Sequence, residues 1–196
     1  MKKRTVALLL FDDVEVLDFA GPFEVFSVTN ELNNYTLFDI LTVAQSREPI
    51  RAKNGLVVQP DHAMADVSNP DVVIIPGGSG TRAVLRDPNT MAWVQTSASN
   101  AELVLSICTG SLILAALGLL SGLRATTHHE NLDELSDLAP DATIVRGERY
   151  VDNGQIITSG GISAGIDMSL GVVERLMGAE VRRTTASYME WREYND

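Results

Sequence analysis

The chain has 196 residues, 45% of them hydrophobic and 21% charged, and its 26 Asp and Glu outnumber 15 Lys and Arg for a formal charge of −11. That length suits one domain with a sizeable core, while the acidic balance argues against nucleic acid or anionic lipid as partners, since both need a cationic surface. A single cysteine, Cys108, excludes an internal disulfide and a multi-cysteine zinc site and fits a reducing compartment, so a cytoplasmic location is expected.

The opening M-K-K-R-T-V-A-L-L-L-F imitates a secretory signal. Its apolar run is short, however, gives way to Asp12, Asp13 and Glu15, and has no small-residue cleavage site. It reads as a first strand over 6–11, and no later run reaches membrane-spanning length. A helix over 23–32 follows, with Pro22 expected in its first turn, where the missing N–H is harmless. Residues 35–44 and 55–59 read as strands, and 71–75 as a compact V-V-I-I strand closed by P-G-G-S-G. Helical character returns over 89–99, a buried strand is predicted over 102–107, and an apolar helix over 111–120 precedes Gly122. Residues 124–127 form a brief strand and 130–138 a helix. Two extended runs within 143–158 flank D-N-G, a strong hairpin signal. The last helix, 163–177, places Ile166, Leu170, Val173 and Met177 on one face and stops at Gly178. Strands alternating with helices, and strands apolar throughout, predict a mostly parallel sheet covered on both faces.

Ligands of open α/β sheets collect at the carboxyl ends of strands. P-G-G-S-G, C-T-G and T-T-H-H all fall at such ends. A lone cysteine is ordinarily a small buried hydrophobe. Here Cys108 sits where a strand turns into a helix, so free N–H groups and the positive helix end face its sulfur and favour a thiolate at neutral pH. Gly110 relieves crowding at the turn. Gly77 and Gly78 are an ordinary tight turn on one reading and, on another, expose N–H groups for an oxyanion or a water, with the Thr109 N–H as a further donor. The spacing fits neither a P-loop nor a dinucleotide fingerprint. Asp18 is either a helix cap or a carboxyl that exchanges protons beside the sulfur; Glu15 and Glu24 read as solvated. His128 or His129 is placed to complete a Cys/His pair. Adjacent histidines are not a zinc spacing, so no metal is expected. His62 is left unassigned, Asp167 has no assigned role, and Arg182 and Arg183 make a meagre basic patch.

Together L-D-F-A-G-P-F-E-V-F, V-V-I-I-P-G-G-S-G, S-I-C-T-G-S-L-I-L-A-A-L-G-L-L-S-G, R-A-T-T-H-H and I-T-S-G-G-I-S-A-G-I-D closely resemble the ThiJ/PfpI superfamily, in its motif order and over nearly the whole chain. The resemblance implies one class I glutamine amidotransferase-like domain over 1–196, a flavodoxin-like α/β sandwich with a β-hairpin near 143–158, and a homodimer. Within the superfamily the motifs look like the isocyanide hydratase branch and like the sensor-like domain of AraC-type regulators. Carried over, the nucleophile falls on Cys108, its acidic partner on Asp18 and the polar neighbour on Thr109. Protease-like members have His directly after the cysteine, whereas this chain has Thr109, which argues against a peptidase.

Three functions share these residues. The first is hydration of an isocyanide to an N-substituted formamide through a Cys108 thioimidate, with no cofactor and a small molecule as substrate. The second is a glyoxalase-like or deglycase-like reaction on reactive carbonyls. The third is a redox or ligand sensor that uses the same cysteine. The ending Y-M-E-W-R-E-Y-N-D offers no helix-turn-helix, so direct DNA contact is not expected.

Overall fold

The computed structural model describes residues 3–192, so the last four residues of the Y-M-E-W-R-E-Y-N-D ending lie outside the described residues. In chain order the first half runs β1 (Arg4–Leu9), α1 (Val16–Leu32), β2 (Phe38–Ala44), β3 (Ile50–Arg51), β4 (Val57–Val58), β5 (His62–Ala63), β6 (Val72–Ile75), α2 (Thr81–Val84) and α3 (Pro88–Asn100). The second half runs β7 (Leu103–Ile107), α4 (Gly110–Ala116), β8 (Arg124–Ala125), α5 (Leu132–Leu138), β9 (Thr143–Ile144), β10 (Tyr150–Asp152), β11 (Ile156–Ser159), α6 (Ala164–Met177) and α7 (Ala179–Tyr188).

Seven strands form one sheet in the order β10-β11-β7-β6-β1-β2-β5. All neighbours are parallel except the β10–β11 hairpin, which turns at D-N-G. Every residue of β6 and β7 is buried, because helices cover both faces and neither side of these strands meets water. Side chains of α1 and α6, among them Phe26, Ile166 and Leu170, pack with Leu8, Ile74 and Leu105 on one face. Those of α3, α4 and α5, among them Val94, Leu112 and Leu135, pack with Leu9, Val73 and Val104 on the other. This is the expected α/β sandwich. Among the described residues no helix is long and apolar enough to cross a membrane.

The chain leaves β1 for β2 and β5 on one side and returns to β6 on the other. The carboxyl ends of β1 and β6 therefore bound a crevice of the kind open sheets use for ligands, and β7, next to β6, delivers Cys108 beside it.

Several element boundaries differ from expectation for local reasons. The first helix starts at Val16, so Pro22 lies inside it rather than in its first turn, and Asp18 belongs to the first turn itself. The strand expected from residue 35 starts at Phe38, because Asn34 and Tyr35 adopt left-handed φ of 55° and 57° and the Asn30 side chain brackets Phe38 by accepting its N–H (3.0 Å) and donating to its carbonyl (2.8 Å). Residues 55–59 contribute only β4, which pairs antiparallel with β3 outside the main sheet. The apolar helix ends at Ala116, four residues early. Of the expected extended runs over 143–158, β9 pairs parallel with β8 instead of joining the hairpin. Helix α7 was not expected. It packs on α1 partly through a buried polar contact, Thr185 Oγ1 to Thr29 Oγ1 at 3.0 Å, which no apolar periodicity signals.

Candidate active site

Cys108 is a strained elbow. Its φ is 53°, a conformation that residues with a Cβ seldom adopt. The surroundings hold it there from both ends. The Cys108 N–H points at the carbonyls of Ser159 and Gly160, each at 3.2 Å. The Cys108 carbonyl accepts from Thr127 Oγ1 at 2.8 Å and from Ser111 Oγ at 3.1 Å. Thr127 thus gives the T-T-H-H segment a bracing role that the sequence did not disclose. Gly110, the first residue of α4, packs directly onto the Ile75 carbonyl, where a Cβ has no room.

The Gly-Gly turn after β6 serves the site differently from expectation. The Gly77 N–H donates to Asp18 Oδ2 at 3.0 Å, and the Gly78 N–H donates to Thr109 Oγ1 at 2.9 Å. Both N–H groups are engaged by side chains, so they orient the acid and the hydroxyl rather than standing open to an oxyanion. A Cβ on Gly77 would lie 2.6 Å from Thr109 N and 2.9 Å from Asp18 Oδ2, which requires glycine at this close approach. Thr109 Oγ1 in turn donates to the Gly78 carbonyl at 3.2 Å.

Asp18 is fully buried, and its second oxygen, Oδ1, has no hydrogen-bond partner among the described residues. Burial, opposed by the Gly77 N–H and reinforced by Glu15, pushes its carboxyl up to about 7. Burial and the neighbouring Asp18 charge push the Cys108 thiol up to about 12, against the Thr109 N–H and hydroxyl, which favour the thiolate. The expectation of a thiolate set by the helix end alone is therefore corrected: α4 has seven residues, and its N-terminus is outweighed by desolvation and by the carboxylate. Thiol and carboxyl titrate as a pair that holds one proton between about 7 and about 12. Protonation of the carboxyl relieves the cost of holding a buried charge beside the thiol.

A cleft of about 210 Å³ opens above the sulfur. Gly78, Cys108, Thr109, His128, Asn131 and Ile162 are among the residues that line it. His128 is the histidine beside Cys108: the position of a Cβ on Gly161 touches both the His128 ring and Sγ, the latter at 3.2 Å. Its Nδ1 accepts the Glu130 N–H at 3.4 Å, which leaves the ring proton on Nε2. Burial holds the imidazole below its usual range. His129 stacks on it with centroids 4.3 Å apart but lines a separate cavity with Arg149 and Gly160.

Three features of the site escaped sequence reasoning. Glu15, expected to be solvated, is mostly buried at the cleft mouth and pairs with Lys53 at 2.7 Å. Lys53 comes from the turn between β3 and β4, and nothing local in K-N-G marks it. Gly161 carried a signal in S-G-G, since paired glycines after a strand mark a close approach. Asp18, Gly77, Gly78, Cys108, Thr109 and His128 all converge as the strand-end argument requires. Glu24 is exposed, His62 lies on edge strand β5, and Asp167 ties Arg149 to Trp191, with Trp191 Nε1 donating at 2.8 Å. Among the described residues no group of three or more His, Cys, Asp or Glu is arranged to hold a metal ion.

Comparison with known proteins identifies the family. The DJ-1/PfpI family model matches residues 4–175. Isonitrile hydratase of Pseudomonas putida is 33% identical over 186 residues, covering 95% of this chain and 78% of the hydratase. The HTH-type transcriptional regulator GbdR of Pseudomonas aeruginosa is 28% identical over 179 residues, 91% of this chain but 48% of the regulator. A solved ThiJ/PfpI family protein from Pseudomonas syringae superposes with a TM-score of 0.88 at 29% identity, covering 100% of this chain and 78% of that one. With the match running from β1 into α6 and spanning the elbow, the chain belongs to the DJ-1/PfpI family.

Proposed function

We propose that the protein hydrates isocyanides to N-substituted formamides, with Cys108 as nucleophile and Asp18 as proton carrier. The observation that carries this reading is the buried Asp18 carboxyl, raised to about 7 beside a thiol on a strained elbow. Isocyanide hydration needs a nucleophile and one proton delivered to carbon, and the pair holds both. The similarity to isonitrile hydratase over 95% of the chain supports the choice of substrate.

The sulfur lone pair forms a bond to the terminal isocyanide carbon, and the proton of the pair passes through Asp18 to that carbon. This leaves the thioimidate Cys108–S–CH=N–R and an Asp18 carboxylate. The carboxylate then takes one proton from water as the water oxygen adds to the same carbon, and passes it to nitrogen. Collapse of the tetrahedral intermediate breaks the C–S bond, releases R–NH–CHO and returns the hydroxyl proton to the pair. Thr109, fixed by Gly78, keeps the β6 turn and its Gly77 donor in place on Asp18. No redox step or cofactor enters.

A second reading, a small-molecule sensor, is favoured by the similarity to GbdR across 91% of the chain. A glyoxalase-like reaction shares the nucleophile and differs in what the cleft admits. A panel of isocyanides and 2-oxoaldehydes, run on wild type and Cys108→Ser, tests all three. Formamide from wild type alone supports the hydratase, the corresponding 2-hydroxy acids from 2-oxoaldehydes support the glyoxalase, and binding without turnover supports the sensor. The same reading carries a homodimer, checked by light scattering.

A further inference from the structure

The hydratase reading leaves open what the nitrogen substituent of the substrate is, and the walls of the cleft bear on that. Among the described residues on the cleft wall, Ile162 alone presents a branched hydrocarbon; the others are glycine, hydroxyl, thiol, amide, imidazole or charged groups. The cleft, about 210 Å³ in volume, is open at its mouth.

The charges on the wall are already matched. Lys53 is paired with Glu15 at 2.7 Å, and Arg82 is paired with Glu134, which also accepts from Asn131 Nδ2 at 2.9 Å. Glu130, exposed at the rim, adds a further carboxylate. His128 adds no positive charge at neutral pH, because burial favours its neutral form. An anionic substituent therefore meets no spare cation among the described lining residues, whereas a cationic one can pair with Glu130 at the rim.

Neutral hydrogen-bonding groups remain. His128 presents an N–H at Nε2, and exposed Ser79 a hydroxyl. A hydrocarbon substituent displaces water from these groups and returns no hydrogen bond.

Resting on the hydratase reading, we infer that the cleft selects isocyanides whose nitrogen substituent ends in a hydrogen-bonding group, a hydroxyl or an amide, over those ending in a hydrocarbon or a carboxylate. The preference is worth about tenfold, the scale of one or two neutral hydrogen bonds.

The test has two arms. In the first, kcat/KM is measured for three isocyanides of equal chain length ending in hydroxyl, methyl and carboxylate. The hydroxyl compound is expected to lead each of the others by about tenfold, and Ser79→Ala to narrow its lead over methyl. In the second, which needs no isocyanide turnover, Cys108 of the native protein is alkylated with iodoacetamide, iodoacetate and 1-iodopropane at high salt, each rate divided by that of a free thiol. Iodoacetamide is expected to lead. If no isocyanide is consumed while iodoacetamide still leads, the hydratase reading fails and the choice of isocyanide with it, but the preference of the cleft for a hydrogen-bonding group over hydrocarbon or carboxylate stands. Equal normalised alkylation rates, a lead for iodoacetate or iodopropane, no alkylation by any of the three, or a methyl or carboxylate isocyanide turned over best would each overturn the inference.

Discussion

Asp18→Asn is expected to stabilise the fold at neutral pH while removing activity. Asp18 is fully buried, with one oxygen on the Gly77 N–H and the other without a hydrogen-bond partner among the described residues. Its carboxyl is raised from an ordinary 3.8 to about 7. A raised carboxyl is protonated in both folded and unfolded chains below 3.8. Between 3.8 and about 7 the unfolded chain ionises first, so stability falls with rising pH and levels off above about 7. At about 1.4 kcal/mol per pH unit, ionised Asp18 costs the native state on the order of 4 kcal/mol. An amide keeps the shape and carries no charge. The Gly77 hydrogen bond to the charged oxygen is already contained in the value of about 7, so nothing further is subtracted for it. The gain at pH 8 is about 4 kcal/mol, or roughly 8–16 °C in Tm for a chain of this size. Thermal unfolding of wild type and variant at equal protein concentration from pH 4 to pH 8 measures it. The gap should open as pH rises through 4–7 and close at pH 4. A variant that is less stable than wild type at pH 8, or a gap independent of pH, would show that Asp18 is not held against its ionisation.

The rate of Cys108 alkylation should rise through an inflection near 7, where the pair loses its first proton, rather than near the free-thiol value of about 8.5. Glu15→Gln should move that inflection down and Lys53→Met should move it up, because the Glu15 charge raises Asp18 and the Lys53 charge lowers it; movement of both in one direction would contradict the arrangement. Gly161→Ala, which places a methyl 3.2 Å from Sγ and against His128, should slow alkylation at least tenfold and destabilise the fold by about 1–3 kcal/mol, read by iodoacetamide kinetics and urea unfolding. Thr127→Val removes the hydroxyl that holds the Cys108 carbonyl, so it should cost about 1 kcal/mol in urea unfolding and lower kcat more than it changes KM.

Much of the fold was legible because its signals are local. V-V-I-I and L-V-L-S-I are apolar at every position, which only a strand covered on both faces allows, and D-N-G supplies the turn chemistry of its hairpin. The convergence of Cys108 with Gly77 and Gly78 followed from three motifs placed at strand ends. What stayed hidden depends on partners distant in sequence. Helix α1 runs through Pro22, and α7 docks on α1 through two threonines 156 residues apart. Lys53 reaches the cleft from the turn of the β3–β4 hairpin, so no spacing rule links it to Cys108. The thiolate argument counted the helix end and omitted burial, and burial is a property of the packed structure. The N–H groups of Gly77 and Gly78 were rightly placed at the site, but their acceptors, Asp18 and Thr109, are set by side-chain geometry that a turn motif does not specify.

The most direct test of the central claim is intact-mass spectrometry of the protein mixed rapidly with a small isocyanide, followed by assay of the released product. The account predicts a transient adduct on Cys108 equal to the full mass of the isocyanide, decaying as formamide appears. Adduct and product should both be absent in Cys108→Ser. Formamide produced by Cys108→Ser at the wild-type rate, or no adduct and no formamide from wild type across a broad panel, would contradict the claim that Cys108 and Asp18 form a hydrating pair.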